Sequence, residues 1–371
     1  MILNNYILPD VYIETGLQSK RPVLESFSTL FLSFELTAND IEEGKKVIYL
    51  ESISEMKLYS CLKEEMFLTQ AISAYFENGG KQLYLMPQIE ERETLFDNSK
   101  YIHFLATQLD YMLDIEAIVA VDIFLTEKFL LSDIKIQNIQ NSISTYCKST
   151  NRLSLMDLPP DGNPIKYAES LYYTIVFYPW IIHQSEKRLP ASIYASALLS
   201  KLSVKNQLSY SIANITLKHV IDTDRMVNRD YASELYKESI NPIIYVQNDG
   251  YKLWGIRTLA DNIETINVLR LFFFIKRNLY LLTKEYIFEA NDAVLEEKIV
   301  RRVRKFLFDL WKKGGLQGAS KEEAFLVSVE QRLESELILK VSVSIIKPLE
   351  YIVIHLNRTT SSDLPSTLKF L

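Results

Sequence analysis

Apolar and polar positions along the chain divide it into short strands and longer helices. Leu30-Phe31-Leu32-Ser33-Phe34 reads as a strand, and Glu65 to Phe76 carries Phe67, Ala71, Ile72 and Tyr75 at the spacing of one helix face. Asn78-Gly79-Gly80 supplies the left-handed conformation that ends such a helix, and Gln82 to Met86 then returns as a strand. The pattern predicts a helix from Tyr101 to about Leu113, a strand at Ala117 to Val121, a helix from Ser132 to Lys148 and a strand from Leu153 into Pro159-Pro160. Leu171 to Ile182 reads as one further strand ending at Pro179-Trp180, and Ala191 to Leu202 as a helix. This alternation predicts packed α/β layers.

The last third is patterned differently. Asn248-Asp249-Gly250 between Ile243–Val246 and Tyr251–Trp254 is a hairpin signal. Two long helices follow, Asn267 to Leu282 and Asp292 to Lys313, the second ending at Gly314-Gly315. Ser335 to Ile346 alternates strictly through Leu337, Leu339, Val341, Val343 and Ile345, and Tyr351 to Leu356 is a final strand before a polar tail. At the other end the polar segment through about Arg21 embeds Val11-Tyr12-Ile13-Glu14, an extended arm.

Composition narrows the function classes. The 371 residues are 48% hydrophobic and 24% charged, which excludes wholesale disorder. Lys+Arg 41 against Asp+Glu 47 gives a net charge of -6, so no global basic field draws the chain to nucleic acid. Cys61 and Cys147 are too few for a disulfide framework and wrongly spaced for a four-ligand zinc site, and they fit a reducing compartment. The N-terminus lacks the charged and apolar regions of a secretory leader, and the apolar run from Leu171 to Ile182 falls short of the roughly 20 residues of a membrane helix. A soluble protein is expected. Tyr 22 and Phe 18 provide ample aromatic surface for interfaces.

Catalytic patterns are missing. His103, His183, His219 and His355 are scattered without ligand spacing, and the ten glycines fit no phosphate loop, dinucleotide fingerprint or nucleophile elbow. Asn78-Gly79-Gly80 ends a helix, whereas anion-binding loops feed a helix start. Glu64-Glu65 and Glu296-Glu297 read as solvated charges. No catalytic residue, cofactor or metal site is assigned. One charge pattern does stand out. Along Asp292 to Lys313, at about 100° per residue, Leu295, Ile299, Val303, Phe306 and Leu310 form one stripe. Lys298, Arg301, Lys305 and Lys312 lie nearly opposite, flanked by Arg302 and Arg304. In an acidic chain this face suits an acidic partner surface of protein, lipid or nucleic acid.

The last third carries, in order, Ile240-Asn241-Pro242, Gly250 to Leu259 and Asn267 to Phe272, then Phe288 to Asp292, Phe306 to Trp311, Gly314-Gly315-Leu316-Gln317-Gly318, Glu323-Ala324-Phe325 and Pro348 to Val353. In this order and spacing the C-terminal third resembles the tail sheath proteins of contractile phages and phage-like injection particles. Upstream, Pro9 to Glu14, Ala74 to Gly80, Tyr178-Pro179-Trp180 and Leu189 to Ser192 are similar to the family's arm, first-domain helix and turn, strand end and proline loop. Departures are Ala290 for a usual proline, Gly315 for a usual alanine, and the absence of an arginine-tryptophan segment around Asn206 to Ile212.

The resemblance implies an α+β fold of mixed α/β layers, with a sheath-like inner domain, an outer α/β domain and extended arms. The expected limits are an N-terminal linking arm over 1–21, an outer domain over 22–239, an inner, tube-facing domain over 240–353 and a C-terminal linking arm over 354–371. It further implies a non-enzymatic subunit, without cofactor, that polymerises as a helical sleeve around an inner tube and contracts to drive the tube through a target envelope. Arm strands with Val11, Tyr12, Ile13, Ile354 and Leu356 would pair with a neighbour's acceptor strand through Leu339, Val341 and Val343. Lys298, Arg301, Lys305 and Lys312 would meet the tube. Implied partners are further sheath copies or paralogues, the inner tube protein, and baseplate and terminal cap proteins, without nucleic acid or membrane insertion. Assembly would occur in the bacterial cytoplasm, the product being a phage tail or a released or cell-anchored particle. A basic-helix adaptor for an acidic protein, membrane or nucleic acid, and an α/β enzyme, are the alternative readings.

Overall fold

A computed structural model describes residues 28–41, 46–89, 91–125, 132–204, 209–260, 265–290, 292–332 and 337–345. The first half alternates strand and helix. β1 (Ser28–Ser33), β2 (Ile48–Leu50) and α1 (Phe67–Glu77) lead to β3 (Gln82–Pro87), followed by α2 (Arg92–Leu95), α3 (Asn98–Leu109) and β4 (Ile115–Ala120). Then come α4 (Asp133–Ser149), β5 (Leu153–Asp157), α5 (Pro164–Ala168) and β6 (Ile175–Tyr178). Three short strands, β7 (Ile181–His183), β8 (Arg188–Leu189) and β9 (Val220–Thr223), form a separate sheet, with α6 (Ala191–Val204) between the last two. α7 (Arg229–Lys237) leads into the hairpin β10 (Ile240–Val246) and β11 (Gly250–Leu253), whose turn takes positive φ at Asn248 and Gly250. The remainder is α8 (Ile266–Lys284), α9 (Ala293–Lys312), α10 (Lys321–Ala324) and the antiparallel pair β12 (Phe325–Arg332) and β13 (Leu337–Val343).

Eight strands form one sheet in the order β11-β10-β6-β5-β4-β1-β3-β2, parallel from β10 through β3 and antiparallel at both edges. Its two faces are separate cores. Phe31, Ala117, Val119, Leu155 and Phe177 point to the face covered by α1, α6 and the start of α8. Their neighbours Leu30, Leu32, Ile118, Met156 and Val176 point to the face covered by α3, α4, α5 and α7. Strands buried on both faces have no polar side to show.

Several expected elements lie where the pattern puts them, while others shift for identifiable reasons. α3 begins at Asn98 rather than Tyr101 because Asp97 caps it, accepting from the Lys100 amide at 3.0 Å. Leu171 to Ile182 is not one strand: β6 ends before Pro179, which has no N–H for a ladder, and β7 belongs to the other sheet. The expected division between 239 and 240 falls at the start of β10, which pairs in parallel with β6, so it cuts into a continuous sheet. A third core cluster instead begins on α8 and includes Leu271, Phe274 and Ile275 together with α9, β12 and β13. The strand expected at Tyr351–Leu356 lies outside the described residues.

α8 ties this C-terminal lobe to the sheet. Ile266, Leu269 and Phe273 from its first half belong to the sheet's core. Its buried Arg277 pairs with buried Glu116 of β4 at 2.9 Å and donates to the Leu113 carbonyl at 2.9 Å. Breaking such a pair would strand a charge in the interior.

Candidate assembly surfaces

The basic helix is built by amphipathic packing. Asp292 caps α9, accepting from the Leu295 amide at 2.8 Å, and Leu295, Ile299, Val303, Leu307 and Leu310 are buried against the third core. Leu307 rather than the expected Phe306 occupies the line; Phe306 is half-buried, 6.2 Å from the Phe274 ring centre. A stripe drawn every three to four residues admits either position, and the smaller side chain fits the closer contact with the core.

Lys298, Arg301, Lys305 and Lys312 share the exposed face, but the structure uses them differently. Lys298 pairs with Glu289 at 3.2 Å. Flanking Arg302 pairs with Glu285 at 2.5 Å and donates to the Tyr286 hydroxyl at 3.1 Å, and its hydrogen bond holds the Glu285 carboxyl below the usual range. Arg304 donates to the Val327 carbonyl at 2.9 Å. Among the described residues Arg301, Lys305 and Lys312 make no ion pair, Lys312 lying 4.9 Å from the Phe308 ring centre. Arg301, Arg304, Lys305 and Lys312 are therefore the positive charges of α9 that face no carboxylate among the described residues, Arg304 being held by a neutral carbonyl.

The expected acceptor residues Leu339, Val341 and Val343 lie on β13. They stand opposite Val329, Val327 and Phe325 of β12 and pack toward the third core. Val327 is buried, yet the three β13 residues are only half-buried, because the sheet has two strands and β13 has no described strand beyond it over Leu337–Val343. Only past its end do Leu316 and Gln317 pair across to Ile345 and Ser344. A two-stranded sheet with no described strand at its outer edge and a partly covered apolar face has the features that strand addition uses. Pattern reading overlooked β12, although Phe325, Val327 and Val329 alternate as a strand should. The expected arm residues Val11, Tyr12, Ile13, Ile354 and Leu356 lie outside the described residues.

Doubly wound sheets bind ligands outside the carboxyl ends of their strands where the order reverses, here between β1 and β4. This crevice holds the chain's own carboxylates. Asp122 accepts from the Ser33 hydroxyl at 2.7 Å, the Phe34 amide at 2.8 Å and the Glu35 amide at 3.2 Å. Glu35 in turn accepts from the Phe67 and Leu68 amides, at 3.1 and 2.6 Å, where α1 begins. The helix start that would attract an anion is thus capped internally. Asp157, at the end of β5, accepts from the Ser192 amide at 3.0 Å and from its hydroxyl, where α6 begins. Burial pushes Asp122 up to about 6 and Asp157 up to about 7 against these bonds. His183 sits between Glu77 and Ser185, and His219 beside Gln184. No group of three or more His, Cys, Asp or Glu able to hold a metal ion occurs among the described residues. No helix among them is long and apolar enough to cross a membrane.

The mixed α/β architecture with its appended helix-and-hairpin lobe is that of contractile sheath proteins. The chain is similar to a chain of the anti-feeding prophage (AFP) baseplate, with a TM-score of 0.74 and 20% identity over 96% of this chain and 100% of that one. It is similar as well to the PVC sheath complex of an extracellular contractile injection system in its contracted state, with a TM-score of 0.73 and 21% identity over 96% and 98% of the two chains. The sheath tail protein of Desulfitobacterium hafniense shares the fold at 10% identity, with a TM-score of 0.59 over 91% of this chain and 100% of that one. Residues 260–359, which contain α8, α9, β12 and β13, match the phage tail sheath C-terminal domain. The tail sheath protein of Enterobacteria phage T4 is 34% identical over 94 residues, 24% of this chain and 14% of that protein's length.

Proposed function

We propose that this chain is the structural subunit of a contractile sheath, polymerising with further copies as a helical sleeve around an inner tube and attached to a baseplate. One observation carries the reading: the segment that matches the sheath C-terminal domain contains both the exposed basic helix α9 and the open-edged pair β12–β13. In this reading the C-terminal lobe faces the tube and the eight-stranded sheet lies outward. The arms over 1–21 and 354–371 add as strands to a neighbour's β12–β13 sheet. Backbone bonding of that kind keeps subunits linked while their bodies rotate. The extended sleeve is metastable, and contraction to a shorter state with new lateral contacts drives the tube without nucleotide hydrolysis. The sleeve is assembled in the bacterial cytoplasm and works in a phage tail or in a released or cell-anchored particle, closed at its far end by a cap protein.

Arg301, Lys305 and Lys312 meet acidic groups on the tube in the extended state and release them during contraction. Exposed ion pairs contribute up to about 1 kcal/mol each, so contacts repeated along a sleeve hold the array and still let go. Triple reversal to Glu (R301E, K305E, K312E) is expected to leave the melting temperature of the free subunit nearly unchanged and to abolish decoration of the tube in electron micrographs. Striated sleeves on tube at the wild-type density would contradict this role.

A further inference from the structure

The two edges of the β12–β13 sheet are unlike. Ser344 donates its amide to the Ala324 carbonyl, and the register sets Phe325 opposite Val343, Val327 opposite Val341 and Val329 opposite Leu339. Bonded and non-bonded pairs alternate along an antiparallel ladder, so the backbone groups of these three pairs point away from the partner strand. Phe325, Val327 and Val329 thus form the outer edge of β12, and Leu339, Val341 and Val343 that of β13.

The β12 edge is obstructed by the chain itself. The Phe325 amide donates to the Lys321 carbonyl of α10. Two positions on, the Val327 carbonyl accepts from the Arg304 guanidinium of α9 at 2.9 Å. Between Val329 and Gln331 the register slips by one residue against β13, a bulge that bends the strand. A strand approaching from this side meets a donor and an acceptor already in use, then a ladder that changes direction. Sheets blunt their edges with such devices. Along β13, by contrast, nothing among the described residues bonds the outward groups of Leu339, Val341 and Val343. The α10 contact and the bulge follow from the path of the backbone. The Arg304 bond is made by one exposed side chain that faces no carboxylate and bears on this edge alone.

We infer that Arg304 is an edge guard: by holding the Val327 carbonyl it closes the β12 edge to incoming strands and confines strand addition to β13. This rests on the sheath reading above and adds which edge a neighbour's arm takes and what denies it the other. Specificity is the physical need. A two-stranded sheet open on both sides can pair its β12 with the β12 of a second copy, an isologous contact that ends growth, or take an arm on the wrong side. A guanidinium suits the task because it always carries its charge and accepts nothing, so it offers an incoming strand's amide no bond in return.

The test is hydrogen exchange of full-length wild type and Arg304→Met, as free subunits and as sleeves on the inner tube of the same particle. Melting of the free subunits and tube-free aggregation, read by light scattering, are measured in parallel. Methionine keeps an unbranched apolar stem and removes the donors. In wild type, assembly should slow the outward amides of Leu339, Val341 and Val343 and leave those of Val327 and Val329 within about twofold of the free subunit. R304M should keep its melting temperature, aggregate without tube at least about tenfold faster, and protect Val327 and Val329 in the aggregates. Slowing of Val327 and Val329 in wild-type sleeves would overturn the guard while leaving strand addition standing. So would an R304M protein that aggregates no faster than wild type, or one whose faster aggregation accompanies a lower melting temperature, the mark of a bond that only supports the fold. If neither edge slows in wild-type sleeves, strand addition to this sheet fails first, and the guard with it.

Discussion

Asp157 shows how single buried charges set the pH response of the subunit. Its carboxyl is raised to about 7 chiefly by burial, and Asp122 and Asp224 are raised to about 6 for the same reason, Asp224 with Arg188 3.6 Å away. A folded-state value above the unfolded one, about 3.9, means that the fold prefers the protonated acid. The resulting stabilisation is complete below about pH 4 and is lost as pH rises toward 7. The free subunit is expected to melt at a lower temperature at pH 8 than at pH 5. Asp157→Asn, which keeps the shape but cannot ionise, should remove about 2 kcal/mol of that difference. Equal pH slopes for the variant and wild type in thermal unfolding would contradict the assignment. None of this network is visible in the sequence. Ser33 and Asp122 are far apart along the chain and meet because β1 and β4 pair in parallel, and Asp157 meets Ser192 because α6 begins beside the end of β5.

Among the elements, β13 bears most directly on assembly. Hydrogen exchange should find its amides divided between those bonded to β12, which are protected in the free subunit, and those on the outer edge, which exchange freely. In assembled sleeves the outer-edge amides of Leu337–Val343 should slow by at least about tenfold. Identical exchange in the two states would remove β13 as an acceptor. The elements also show what the pattern could and could not reveal. α9 was readable to within a residue at each end because an Asp cap, a 3.6-residue stripe and a terminal glycine agree. β12 was not, since it begins at Phe325, immediately after the last residue of α10, with no turn to mark it. α7 escaped because a largely polar helix buries only Ala232 and Leu235. β6 and β7 merged into one apolar run because burial on both faces erases alternation. The basic face was legible as a pattern, but its division into internally paired and available cations depends on Glu285 and Glu289 lying across the turn.

For the whole molecule, α8 is decisive. Its first half completes the core of the eight-stranded sheet, its second half belongs to the C-terminal lobe, and the buried Arg277–Glu116 pair joins helix to sheet. Load applied at the β12–β13 surface would thereby reach the sheet through packed side chains, as the proposed sheath role requires. The most direct measurement is electron microscopy of the protein lacking residues 1–21 and 354–371, assembled with tube beside the full chain. The account predicts a folded subunit with an unaltered melting transition that forms no sleeve, whereas long cylinders able to contract, built from the trimmed chain, would contradict it.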